Sequence, residues 1–183
     1  MPVALSVEQL ETRIGTVQKL LKPLVGGKHA VPCCFVANPS VPGRILSGHP
    51  GGSGHTDHRA LWFPTFIKTV QCQYFEIWLP SDGEKRWELE RAYLSISRVI
   101  RQLGKREDIL CVHCDPLTKD SDPLASYRKG PHLHVMLAQA PLPRAHFPLN
   151  ACHLQQVLAS VESLTNAMQS AIGIVCHEVI CHL

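Results

Sequence analysis

Between Phe66 and Leu79 the side chains alternate as they do along an extended chain. Val70, Cys72, Tyr74, Glu76 and Trp78 fall on one side, and Phe75 and Ile77 on the other. Successive side chains of a strand point to opposite faces, so this segment predicts one or two β-strands and requires a sheet to hold them. Pro80-Ser81-Asp82-Gly83 closes it with turn-forming residues.

The segments around it supply the other layer. Ser6–Leu24 predicts a first helix: Ser6 caps it, Glu8 and Glu11 sit near the positive end of its dipole, and Leu10, Ile14, Val17, Leu20, Leu21 and Leu24 recur at helical spacing. Gly26-Gly27 ends it. Glu84–Leu103 reads as a central helix with a broad apolar face from Trp87 to Leu103, stopped by Gly104. Ile109–Cys114 and 131–137 are short strands, and Leu154–Ile180 is a long final helix. The residues from 25 to 60 are rich in Gly, Pro, Ser and His. Pro32, Pro39, Pro42 and Pro50 exclude a long helix there, so a loop or insertion is expected. The expected class is therefore α+β. A small, mostly antiparallel sheet would be covered by an N-terminal, a central and a long C-terminal helix, in one domain spanning 1–183.

The chain has 183 residues, 45 % of them hydrophobic and 18 % charged, which favours a packed core over disorder. A formal charge of +3 permits a nucleic-acid partner without requiring one. Met1–Leu10 lacks a basic start and is interrupted by Glu8, and no apolar run reaches membrane-spanning length. A soluble cytoplasmic protein is expected, and its eight cysteines are then thiols or metal ligands rather than disulfides.

Chemistry concentrates in Lys129-Gly130-Pro131-His132-Leu133-His134-Val135. On a strand, His132 and His134 share one face while Leu133 and Val135 form the other. The preceding strand places Cys111 and His113 on one face, with Asp115 at its end. If the two strands are neighbours with their polar faces together, Cys111, His113, His132 and His134 form a cluster. Its donors suit zinc, and it also has the composition of a metal-free acid–base site. In the second case His132 and His134 divide the base and acid roles, Lys129 stabilises phosphate charge, and His113 and Asp115 orient an imidazole. The competing reading is an edge strand with a solvated polar face.

Two further groups invite attention. His55-Thr-Asp57-His58 resembles the metal-binding loop of metallo-β-lactamase-like hydrolases, with Ser53 where that loop has another histidine. It suggests a metallohydrolase; otherwise it is a polar loop. The Cys-His pairs at 152–153, 176–177 and 181–182 lack Cys-x-x-Cys spacing and read mainly as small apolar residues in a core.

Lys129-Gly130-x-His132-x-His134-Val135, followed by Phe147-x-Leu149 and a helix carrying Leu154 and Leu158, resembles the C-terminal signature of the TumE-type toxin family over about residues 127–160. Pro131 and Leu133 stand where that family usually has Asp and often Arg. The resemblance implies a toxin- or defence-type protein acting on RNA, with an antitoxin as partner, and points to Lys129, Gly130, His132 and His134. The remaining alternative is a non-catalytic, zinc-stabilised subunit of a larger protein complex, drawn from the abundance of cysteine and histidine.

Overall fold

The computed structural model describes residues 3–26, 31, 33–37, 43–47, 62–83, 85–135, 145–148 and 153–182. Strand β1 (Ala4–Ser6) leads into helix α1 (Val7–Leu21). Ser6 and Gln9 form a reciprocal cap: Gln9 N–H donates to Ser6 Oγ at 3.2 Å, and Ser6 N–H donates to Gln9 Oε1 at 2.9 Å. A 3₁₀ turn over Lys22–Val25 follows, and Gly26 ends it in the left-handed region at φ 70°.

The sheet contains β2 (Cys34–Ala37), β3 (Arg44–Ser47), β4 (Trp62–Pro64), β5 (Val70–Ser81), β6 (Arg86–Ile100), β7 (Lys105–Cys114), β8 (His132–Val135) and β9 (Ala145–Pro148). Its order is β2-β3-β5-β6-β7-β8-β9, with β4 paired to β5 and β1 to β6, and every described pairing is antiparallel. Two edges are shared. β5 pairs with β4 along Gln71–Gln73 and with β3 along Phe75–Trp78. β6 pairs with β1 along Arg86–Glu88 and with β7 from Ala92 onward.

The stretch 25–60, expected as a loop, thus contributes the hairpin β2–β3, and Leu46 from it is fully buried. Pro80 and Ser81, expected in a turn, still belong to β5, and the chain reverses at Asp82 and Gly83, both at positive φ.

The α+β class and the two terminal helical segments agree with the sequence reading. The segment 84–103 does not: it forms β6, not a helix. The reason is one inserted residue. Ile77 faces Arg91 and Trp78 faces Leu89, so Glu90 is a β-bulge. The buried apolar positions therefore run 87, 89, then 92, 94, 96. The three-residue step from Leu89 to Ala92 imitates helical spacing in a chain that otherwise alternates by two.

The final helix is also divided. α3 (Leu154–Val157) stops before Ser160, and α4 (Val161–Glu178) begins there, because Ser160 Oγ accepts from Ser163 N–H at 3.0 Å. No helix among the described residues is long and apolar enough to cross a membrane.

One core unites the sheet with the helical layer. Leu10, Val17 and Leu20 of α1 and Leu164, Met168, Ile172 and Val175 of α4 join Cys72, Trp78, Leu94, Ile96 and Val112 of the sheet. A polar network lies within it. The Glu76 carboxylate is fully buried and accepts from Arg13 Nε (3.0 Å), Arg13 Nη2 (2.6 Å), Tyr74 Oη (2.7 Å) and Trp78 Nε1 (2.9 Å). Arg13 Nη1 also donates to Thr165 Oγ1 at 2.8 Å, tying α1 to α4. Burial alone would raise the Glu76 pKa, but the Arg13 charge and these donors hold it below the usual carboxylate range. The opposite face of β5 and β6 carries a second apolar group of Phe75, Ile77, Leu79 and Tyr93.

Candidate metal centre

The two strands expected as neighbours are neighbours. In the β7–β8 register His113 faces His132 and Cys111 faces His134. These four side chains lie on the sheet face opposite the main core, because Leu110, Val112 and Cys114 occupy the other positions of β7. A cross-strand row runs Phe75, Tyr93, His113, His132. Along it Phe75 stacks on Tyr93 with centroids 5.2 Å apart, and Tyr93 lies 5.4 Å from His113. The His113 ring is 4.1 Å from His132 and 4.2 Å from His134, its diagonal neighbour.

The reading of a solvated edge is corrected by burial. His132 is completely inaccessible, and His134 and Cys111 are buried at 7 % and 3 % exposure. Buried imidazoles need partners, and several are visible. His132 Nδ1 lies 2.9 Å from the carbonyl oxygen of Gly130. A carbonyl only accepts, so Nδ1 carries the proton and Nε2 keeps its lone pair. His113 Nε2 meets His134 Nε2 at 2.7 Å, one donating to the other. His113 Nδ1 lies 3.3 Å from Asp115 Oδ2, longer than a well-made hydrogen bond but close enough to favour a proton on Nδ1. With Nδ1 protonated, His113 Nε2 is the acceptor and His134 Nε2–H the donor.

Asp115 follows the last residue of β7. Its N–H donates to the Arg128 carbonyl at 2.6 Å, and its Oδ1 accepts from Arg91 Nε at 2.8 Å. Burial would raise its pKa, but the contact with His113 and the charge and hydrogen bond of Arg91 hold it below the usual carboxylate range. Arg91 was not singled out by sequence because it lies in the segment read as a helix.

Two groups of donors have atoms within 4.8 Å of one another: Cys111, His113 and His134, and His113, Asp115 and His132. The four residues expected as one metal set are therefore divided between two triads that share His113. The Cys, His and Asp side chains of this cluster have the donor types to hold a metal ion. Zinc–nitrogen bonds of about 2.0–2.1 Å place two ligating nitrogens roughly 3.3 Å apart at tetrahedral angles. To share an ion on that geometry, His113 and His134 would open by about half an ångström and the His134 proton would move from Nε2 to Nδ1, since a ligating nitrogen must present a lone pair.

Lys129 is placed elsewhere. It caps α2 (Ala125–Arg128), and its Nζ pairs with Asp120. With Pro116, Lys119, Leu154 and Leu158 it lines a cleft of about 980 Å³ that none of the three histidines lines. Arg128 pairs with Asp122 at 2.9 Å. His55, Asp57 and His58 lie outside the described residues, as does Cys152. Neither metal-capable group among the described residues includes Cys176, His177, Cys181 or His182. Cys72, Cys114 and Cys176 belong to the core, and burial pushes the Cys176 thiol up to about 11. Burial likewise pushes Cys33 up to about 12, so these thiols are packing groups rather than nucleophiles.

No family model, no curated protein and no solved structure matches this chain.

Proposed function

We propose that this protein binds zinc through Cys111, His113 and His134. The observation that supports the reading is the convergence of these three donors within 4.8 Å on two adjacent strands. A carboxylate behind His113 is the usual companion of a ligating histidine. Three protein ligands leave the fourth position of a tetrahedral ion for water or a substrate atom, as in catalytic zinc sites. The ion would supply Lewis acidity and a water that ionises near neutral pH. The chain's own contribution is to desolvate the donors, hold the Cys111 thiol opposite His134, and fix the tautomer of His113. A reducing cytoplasm keeps such a thiol available as a ligand. Elemental analysis after dialysis should find one zinc per chain, lost in Cys111→Ser and His134→Ala. Protein that takes up no zinc from excess overturns the reading.

A second reading is favoured by the Asp115–His113–His134 chain of contacts, which resembles an oriented acid–base relay. In it the protein is a toxin- or defence-type ribonuclease, with an antitoxin partner, in which His132 and His134 divide the base and acid roles. Lys129 would have to leave Asp120 to reach the phosphate. Replacing both histidines by Ala should abolish RNA cleavage and toxicity with an unchanged circular-dichroism spectrum; cleavage that persists eliminates it. One zinc per chain that survives dialysis, with no RNA cleavage, instead favours a non-catalytic, zinc-stabilised subunit of a larger protein complex.

A further inference from the structure

Arg91 is the outermost member of a continuous line of contacts that ends on the metal donors. Its Nε donates to Asp115 Oδ1 at 2.8 Å, Asp115 Oδ2 lies 3.3 Å from His113 Nδ1, and His113 Nε2 lies 2.7 Å from His134 Nε2. We propose that the Arg91–Asp115 pair positions His113 for metal binding and sets the zinc affinity of the site. The proposal rests on the zinc reading above.

The geometry leaves the carboxylate little freedom. One oxygen is held by Arg91 and the other faces His113, while the Asp115 N–H is bound to the Arg128 carbonyl. Tyr93 and His132 flank the imidazole across the neighbouring strands, which restricts its rotation. A negative oxygen at Nδ1 then selects the tautomer whose Nε2 lone pair faces His134, and makes that lone pair more basic. Ala92 pairs with Cys114, so Arg91 and Asp115 sit at the next position along the two strands.

Stability alone gives little reason for the pair. The Arg91 side chain is 48 % exposed, and exposed ion pairs contribute little to folding. A structural role and a positioning role therefore predict different results. Zinc affinity is measured by competition with a chromophoric chelator on the full chain, for wild type, Asp115→Asn, Asp115→Glu, Arg91→Ala and Arg91→Lys. Cobalt spectra report thiolate ligation. Asp115→Asn should weaken zinc binding about 10–100-fold, the range for outer partners of ligating histidines. Arg91→Ala should weaken it by a smaller factor, and Asp115→Glu and Arg91→Lys should recover part of each loss. The cobalt–thiolate band should persist, since Cys111 remains a ligand.

If Asp115→Asn does not fold, Arg91→Ala carries the test, because its half-exposed side chain can be removed from a folded chain. Wild-type zinc affinity in both Asp115→Asn and Arg91→Ala overturns the proposal and leaves the zinc reading standing. A wild-type chain that binds no zinc overturns both.

Discussion

Replacing Arg13 by Met tests the buried network under the sheet. Methionine fills much of the volume, so the change removes mainly the guanidinium charge and its donors. Thr165 Oγ1 keeps its own bond to the Val161 carbonyl at 2.7 Å and is not orphaned. Glu76 retains Tyr74 and Trp78 but loses its cation in a fully buried site. Removing one partner of a buried pair costs about 3–5 kcal/mol. Protonation limits that cost. Neutralising a carboxyl of solution pKa about 4.3 at pH 7 requires roughly 3.7 kcal/mol, and at pH 5 only about 1 kcal/mol. In the wild type the Glu76 pKa is lowered, so its contribution is present above the unfolded value and falls away only in acid. In the variant the pKa is raised. Its stability is therefore greatest below the unfolded value and declines as pH rises toward the folded one. Urea unfolding at pH 5 and pH 7 should show a penalty that grows by about 2–3 kcal/mol between them. Arg13→Met combined with Glu76→Gln should lose that pH dependence. A penalty below about 1 kcal/mol at pH 7, or one equal at both pH values, would refute the argument.

Three shorter predictions concern other parts of the molecule. Zinc binding at pH 7 should release about one proton per ion, from the Cys111 thiol, in an unbuffered titration, and Cys111→Ser should release fewer. Gly43→Ala should destabilise the β3–β5 pairing by about 1–3 kcal/mol, because a Cβ there would lie 2.5 Å from the Trp78 carbonyl oxygen; a neutral effect in denaturant melts counts against that packing. Leu94→Ala, a fully buried change on β6, should cost about 2–5 kcal/mol at an unchanged denaturant slope.

What could be read in the sequence was whatever depended on neighbours two or four residues apart. The Ser6 cap and the strand around Tyr74 followed from local spacing, and the pairing of β7 with β8 from their being consecutive strands. So did the meeting of Cys111, His113, His132 and His134 on one face, with Asp115 at the strand end. What failed depended on distant partners or on a break in period. Glu76 read as one more position on a strand face, because its cation lies 63 residues away on α1. Lys129 read as a phosphate ligand because Asp120 sits in an intervening polar connection with no regular pattern. Arg91 was hidden by the helical reading of β6, which a single unpaired residue had produced.

That unpaired residue also marks a place where β6 can lose a single residue without losing phase. With Glu90 present, Leu89 and Ala92 both reach the core although three positions separate them. Excising Glu90 alone would leave Leu89 and Ala92 two positions apart, so Trp87, Leu89, Ala92, Leu94 and Ile96 would alternate without a break and all stay inward, in continuous register with β5. Loss of a paired residue such as Tyr93 has the opposite effect: it would turn Leu94 and Ile96 away from the face that Ala92 occupies, whereas Arg91 keeps its place beside Asp115 when Glu90 is lost.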